Sequence, residues 1–408
     1  MAAGRRIGSS VATVRAGDVI RFRLGGHHLA HRQPADHVHT AAGACGVQNS
    51  PPGSTLLALH ARVEGVTQGR IDHLVGEEKS LLQTWSMRGA PFHFPTVDAP
   101  VFTAGVLPTT EGARLHLVMG VAPALRRLGL GLDEVVDLAE AEIAGVLSGR
   151  RLAIGELGEQ LAERVADRLS IAQRATWREV GPYGADQPLG EAVMHFCLRI
   201  LTLRGIVCMA PRSQNKAPFV LLADWLGHVG AHDDPEGSRA ALLRRYLRCY
   251  GPSTRKDFAS WLGGRAGDVD PWWTAVADEL SPVEVEGCRM WIRTDDLAAL
   301  RSPPEPRGVR LLPPSDPYLQ MRDRGTIVEV GHQPQVWRAV GSPGAVLADG
   351  GIVGTWRPRT SGRALTMRVR TFRSLSSRLR AALREEADTL ARLRGASTVE
   401  VELEDAAG

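Results

Sequence analysis

Apolar residues recur at helical spacing most plainly in the middle of the chain. Asp133–Leu147 places Val135, Val136, Ala139, Ile143, Val146 and Leu147 on one face, and Glu156–Leu169 places Leu157, Leu161, Val165 and Leu169 four apart. A polar insertion, Arg174–Gly190, precedes a third helix over Glu191–Arg204, stopped by Gly205. Two short apolar runs follow, Ile206–Ala210 and Phe219–Leu222, joined by a turn that reads Pro211-Arg212-Ser213-Gln214-Asn215-Lys216-Ala217-Pro218. Three helices and a hairpin are the winged-helix order, a helix-turn-helix variant. The order returns with helices over Gly237–Tyr250, Thr254–Leu262 and Asp270–Leu280. Val283–Ile292 then alternates as a hairpin turning at Gly287.

Toward the N-terminus the pattern predicts helices over Asp18–Arg32, Asp36–Cys45 and Thr55–Glu64. A strand over Leu81–Met87 and a return strand after Arg88 follow, so this third of the chain is compatible with another copy. Beyond the proline-rich Ser302–Pro306 the texture becomes β. Short strands are expected at Val309–Leu312, Thr326–Val330, Ala345–Ala348, Gly351–Trp356 and Leu365–Val369, and an amphipathic helix at Leu375–Arg394. The expected fold class is α+β: tandem winged-helix domains, then a small β-barrel and a C-terminal helix. The expected domains are 1–130, 131–232, 233–300 and 307–408.

Composition changes this picture little. At 408 residues, 43% hydrophobic and 23% charged, the chain has room for several cores. No apolar run reaches the ~18 residues that span a bilayer, and the N-terminus lacks a signal core, so a cytoplasmic protein with no membrane partner is expected. Five scattered cysteines without CxxC spacing read as reduced core thiols rather than a disulfide frame or a zinc site. His27 and His31 stand i,i+4, but no carboxylate or thiol matches their spacing. They read as a solvated helix face, and no metal is expected.

The net charge is +4, and the basic residues are nearly all arginine, with three lysines (Lys79, Lys216, Lys256). Arginine usage of this kind reflects a GC-rich genome and also supplies planar donors for phosphate. From Arg357 to Arg384 arginine recurs with no acidic residue between, so Arg357 and Arg359 are candidate DNA contacts. In the turn of the second hairpin, Arg212 and Lys216 suit phosphate, and Gln214 and Asn215 suit base edges. Duplex DNA is the expected partner, bound by a monomer.

Catalytic signatures are sparse: no GxSxG, Walker loop, HExxH, dinucleotide fingerprint or zinc-deaminase motif occurs. What stands out is a neutral polar turn, Gly46-Val47-Gln48-Asn49-Ser50-Pro51-Pro52-Gly53-Ser54, directly before an expected helix with Ser54 as N-cap and Gly65 as stop. Such a turn can be purely structural. It can also orient a water through amide carbonyls and a hydroxyl. One reaction needs no more: a purine alkylated at N7 is already cationic, so its glycosidic bond breaks without a proton donor.

The chain resembles the winged-helix DNA glycosylases of the AlkZ/YcaQ type. The matching pieces are Gly46–Ser50 with Leu57-Ala58-Leu59-His60-Ala61-Arg62, Thr84-Trp85-Ser86-Met87-Arg88-Gly89, Leu311-Leu312-Pro313 with Asp316-Pro317-Tyr318, Arg322-Asp323-Arg324, and Asp349-Gly350 with Gly354-Thr355-Trp356. The resemblance implies excision of N7-alkylated purines from double-stranded DNA, including bulky natural-product adducts, without a cofactor. The family's catalytic Gln-x-Gln falls on Gln48 and Ser50, with Asn49 between. Ser50 is shorter than the expected amide, so Asn49 is a candidate to share the role. The family's Thr-x-His element corresponds to the Ala90–His93 region, making Arg88 and His93 candidates for lesion or phosphate contact. The loss of one catalytic amide leaves a second reading open, a non-catalytic DNA-binding regulator or adduct-sequestering protein.

Overall fold

The computed structural model describes residues 12–212, 217–227 and 234–404. The fold is mixed α+β. Its strands, in chain order, begin with β1 (Ala12–Val14), β2 (Val47–Gln48), β3 (Leu81–Trp85) and β4 (Pro91–Pro95). Next come β5 (Val207–Met209), β6 (Phe219–Leu221), β7 (Leu280–Val285) and β8 (Cys288–Arg293). The last five are β9 (Val309–Leu312), β10 (Gly344–Ala348), β11 (Gly351–Ser361), β12 (Ala364–Thr371) and β13 (Thr398–Glu404).

They form three sheets, ordered β1-β7-β8, β2-β4-β3-β5-β6 and β13-β12-β11-β10-β9. The second sheet carries the polar turn. It joins the β3–β4 hairpin, which follows the polar turn, to the β5–β6 hairpin through the pairing of Gln83 with Met209. Segments some 120 residues apart in sequence therefore share one surface.

Helices with strong periodicity lie where the sequence predicts them, at Leu132–Leu147, Ile154–Ala166 and Leu189–Leu203. Their apolar faces meet in one core around Val136, Ile143, Leu161, Val165 and Ile200. Burial of these stripes, more than helical propensity, holds the three in place. The first part of the expected Arg174–Gly190 insertion is helical instead. Ser170 caps a helix at Ile171–Arg178, and buried Trp177 donates to Ala162 O. A second core collects the aromatic rings Phe92, Phe94, Phe102, Tyr246, Tyr250, Phe258, Trp261 and Tyr318 beneath the second sheet.

Near the N-terminus the elements are shorter than predicted: Ala16–Gly26, Val38–Gly43 and Ser54–His60. Asp270–Leu280 likewise resolves into a helix at Asp270–Thr274 and a 3-10 turn at Ala277–Glu279. Helices at Ala99–Phe102, Glu111–Leu117 and Ala122–Leu128 have no counterpart in the predicted elements.

The C-terminal sheet is open, so the expected closed barrel is corrected. Thr326–Val330 is not a strand: 3-10 turns at Arg324–Thr326 and Val330–His332 flank Ile327 and Val328, which are buried in the aromatic core. Tertiary burial overrides the β-propensity of that run. At the other edge an unexpected strand, β13, runs parallel to β12 after the helix Ser377–Leu393 crosses over the sheet. Leu383, Ala387 and Leu390 cover the sheet in place of barrel closure.

One buried and one half-buried ion pair tie the N-terminal elements to the 309–332 segment. Arg62 binds Asp316 in a two-pronged contact (Nη1–Oδ2 2.8 Å, Nη2–Oδ1 2.7 Å), with both side chains essentially inaccessible. Arg62 also donates to Ala58 O, and Asp316 accepts from Tyr318 N. Arg23 reaches Asp323 at 2.7 Å. Removing one partner of a buried pair strands the other charge, so Arg62→Ala is expected to cost about 3–5 kcal/mol in urea unfolding. Replacing both residues by Arg62→Met and Asp316→Leu should recover most of that loss.

Candidate active site

Gln48 ends β2, an edge strand of the second sheet, and pairs with Phe92. Gly46 lets the chain enter this strand: its φ is 73°, and a Cβ there would meet Phe92 Cδ1 at 3.1 Å and Phe102 Cε1 at 3.3 Å. Val47 is buried and pairs with His93. Strand alternation therefore sends Gln48 to the Phe92 face and Asn49 to the His93 face. Gln48 is half-buried, and neither it nor half-buried Ser50 makes a side-chain hydrogen bond among the described residues. Both have free hydrogen-bonding capacity.

Asn49 does not. Its N–H donates to Pro91 O (2.8 Å), and its Oδ1 accepts from Gly53 N (3.0 Å) and Thr55 N (3.4 Å). The residue thus holds the turn against β4 and fills the role expected of Ser54. The cap position of the seven-residue helix is Gly53, in left-handed conformation, and the helix ends at His60, short of Gly65. At the start of this helix Gly53 and Thr55 N–H donate to Asn49 Oδ1, and Ser54 N–H donates to Pro51 O.

On the His93 face lies a chamber of about 330 Å³ lined by Asn49, Thr55, Gln68, Gln83, His93 and Arg212, among others. His93 is 5% exposed, and its Nδ1 lies 2.9 Å from Thr55 Oγ1. Burial lowers its pKa to about 4, so the ring is neutral near pH 7. Directly opposite on β3, Gln83 is 4% exposed and has no side-chain hydrogen bond among the described residues. Neither Gln83 nor Thr55 stands out in the sequence as a site residue. The available signal was one amide within an otherwise apolar strand, Leu81-Leu82-Gln83.

Arg88 occupies the turn between β3 and β4, with φ 57° and its guanidinium donating to Trp261 O and Gln320 Oε1. The turn stands at the sheet end where the chain leaves β2, so Arg88 lies beside the Gln48–Ser50 segment and His93 on the far face of the sheet. Arg212 is exposed at the rim of the chamber, whereas Gln214, Asn215 and Lys216 lie outside the described residues. Arg357 and Arg359 are exposed on β11, in the third sheet rather than the second, and Arg357 donates to Gly341 O. The arginine run is partly neutralised by acids from β13 and the β10–β11 turn: Arg368 and Arg370 pair with Glu402 and Glu404, and Arg378 with Asp349.

His27 is not on a solvated face. It is fully buried, edge-on to Tyr250 and Tyr318, with Cys45 Sγ 3.7 Å from its Nδ1. His27, Cys45 and Cys249 are a group of possible metal ligands whose donor atoms lie within 4.8 Å of one another. No helix among the described residues is long and apolar enough to cross a membrane.

A family model described as DNA glycosylase AlkZ-like matches residues 41–393. The chain is similar to an interstrand DNA cross-link repair glycosylase of Streptomyces sahachiroi, 28% identical over 357 residues, covering 83% of this chain and 86% of that protein. In structure it is similar to the Streptomyces sahachiroi DNA glycosylase AlkZ, with a TM-score of 0.73 and 25% identity, covering 96% of this chain and 100% of that one.

The low pKa of His93 has a measurable consequence. Its folded value, about 4, lies below the unfolded value of 6.5, so the unfolded chain takes up the proton first as pH falls. His93 therefore lowers stability progressively from pH 6.5 to about 4, by about 1.4 kcal/mol per pH unit at most. His28 and His60, both also lowered to about 4 by burial, act in the same direction. His93→Gln should remove about one proton from the stability–pH slope in that window, read from urea melts at each pH. An unchanged slope would mean that His93 titrates freely.

Proposed function

This chain belongs to the AlkZ-like DNA glycosylase family, and from that premise we propose that it is a monofunctional enzyme hydrolysing the N-glycosidic bond of N7-alkylated purines in duplex DNA. The observation that carries the reading is the Gln48 side chain, half-buried on an edge strand, with no protein hydrogen bond among the described residues. A carboxamide in that state is available to hold a water. Ser50, equally unoccupied, is the second group beside it. Asn49 keeps a structural role, because its carbonyl oxygen is committed to the turn.

In this mechanism the Gln48 carbonyl accepts a hydrogen bond from the water and points its oxygen at the anomeric carbon. The C1′–N9 bond breaks, its electron pair neutralises the cationic purine, and the water oxygen bonds to C1′ as its proton passes to solvent. No general acid is required, since the leaving base is already positively charged, and no lysine is needed to form a Schiff base. Gln48 contributes orientation, and its carbonyl dipole stabilises developing positive charge on the sugar.

The helix–hairpin units are taken as winged helices over 1–130, 131–232 and 233–300, with 307–408 as the C-terminal unit. Arg212, Arg357 and Arg359, with Gln214, Asn215 and Lys216, are assigned to the DNA path. The relative whose name specifies interstrand cross-links extends the proposed substrates to bulky N7 adducts. The enzyme works as a monomer and without a cofactor.

The test is base release from a duplex carrying one N7-methylguanine, or a bulkier N7-guanine adduct, followed by alkaline strand cleavage. Wild type should release the base, Gln48→Ala should slow single-turnover release by about 100-fold or more, and Ser50→Ala by less. Tight binding without release on any adduct would overturn the mechanism. Spontaneous strand cleavage before alkali would overturn the monofunctional assignment.

A further inference from the structure

Three arginines that reach into this fold have a carboxylate: Arg23 has Asp323, Arg62 has Asp316, and Arg32 has Glu386. Half-buried Arg199, Arg239 and Arg310 have none among the described residues, and neither do Arg88, Arg322 and Arg324, which differ in lying together. All three are half-buried, and none forms an ion pair among the described residues. Arg88 donates only to neutral acceptors, Trp261 O and Gln320 Oε1. The Nε of Arg322 is buried with no hydrogen-bond partner among the described residues, and Arg324 lies over the Trp337 ring at 4.7 Å. Asp323, between them in sequence, is taken by Arg23 and by Thr326 Oγ1.

The cluster is electrostatically frustrated. Burial lowers the Arg88 pKa to about 10, and the neighbouring Arg322 charge adds to the shift. Arg322 is lowered by burial and then by Arg324. Arg88 also sits at φ 57°, a left-handed backbone that costs a non-glycine residue free energy. Desolvated like charges on strained backbone are an arrangement that an external anion would complete.

The location says which anion. The Arg88 turn closes the β3–β4 hairpin at the end where Pro91 O receives Asn49 N, and Ser50 leaves the sheet beside it. At strand spacing this puts the turn within about 10 Å of Ser50. We propose that Arg88, Arg322 and Arg324 form a clamp for one DNA phosphodiester next to the damaged nucleotide, fixing the sugar in register with Gln48. The three are positioning residues, and the clamp rests on the Gln48 reading of the active site.

The experiment is a binding scan that needs no turnover. Duplexes carrying N7-methylguanine are made with a single neutral methylphosphonate at each position flanking the lesion, and Kd is measured against salt by fluorescence anisotropy. For wild type, one position should weaken binding about 10-fold and reduce the slope of log K against log salt by about one. Arg322→Gln should show that loss on unmodified backbone, with no further loss at the sensitive position. Arg322→Met should raise the melting temperature of the free protein while weakening binding, because an unpaired charge leaves the interior; a merely structural arginine would lower it.

Additive losses, meaning that the methylphosphonate costs the variant as much as wild type at every position, would overturn the clamp. So would an Arg322→Met variant with reduced melting temperature and unchanged Kd. Base release lost in Gln48→Ala but insensitive to the arginines would leave the glycosylase mechanism standing and remove only the clamp. A clamp found by binding with no base release would do the reverse.

Discussion

The Arg62–Asp316 pair is the constraint on which the geometry of the candidate site depends. Arg62 follows the helix that Asn49 starts, and Asp316 opens the segment that carries Gln320, Arg322 and Arg324. A bidentate bond between planar groups in a water-excluded core fixes orientation as well as distance. The polar turn and the arginine segment, some 270 residues apart in sequence, are thereby held in one arrangement. Arg23–Asp323 repeats the connection from the first helix. Buried pairs contribute little net stability over an apolar alternative. Their value here is register.

Much of the fold was legible because its signals are local. The helices at Leu132–Leu147 and Leu189–Leu203 have continuous apolar stripes, and the β7–β8 hairpin turns at Gly287 with alternation on both sides. The misses concern partners rather than elements. Val399, Val401 and Leu403 alternate with glutamates as clearly as any strand, but nothing local says that β13 will cross over a helix to pair in parallel with β12. Thr326–Val330 has strand composition, yet its apolar residues are drawn into the aromatic core from a turn. An open sheet and a closed barrel differ in which edges meet, and short strands do not encode that.

The same division runs through the site. Gln48 could be singled out in sequence because a neutral amide before two prolines is conspicuous. That Asn49 would be consumed as a brace depends on hydrogen bonds to Gly53, Thr55 and Pro91, the last of these across a sheet. His93 was visible as a histidine, but its neutrality comes from burial and Gln83 becomes its neighbour only through β3–β4 register. His27 shows the reverse error: read as solvated, it is buried with two cysteines that no sequence spacing connects to it.

Charge is where sequence and structure diverge furthest. The long arginine run from Arg357 to Arg384 looks like the dominant basic feature, yet Arg368, Arg370 and Arg378 find carboxylates in the folded chain. Arg88, Arg322 and Arg324, of which the sequence marks only Arg88 as a phosphate candidate, find none among the described residues and are partly withdrawn from water. Screening weakens an exposed charge and spares a desolvated one. A phosphate entering the Arg88 cluster therefore gains more per charge than one meeting β11, and it gains it beside Gln48. In the proposed clamp, unmet charge in the free protein gives the damaged strand a fixed position to occupy.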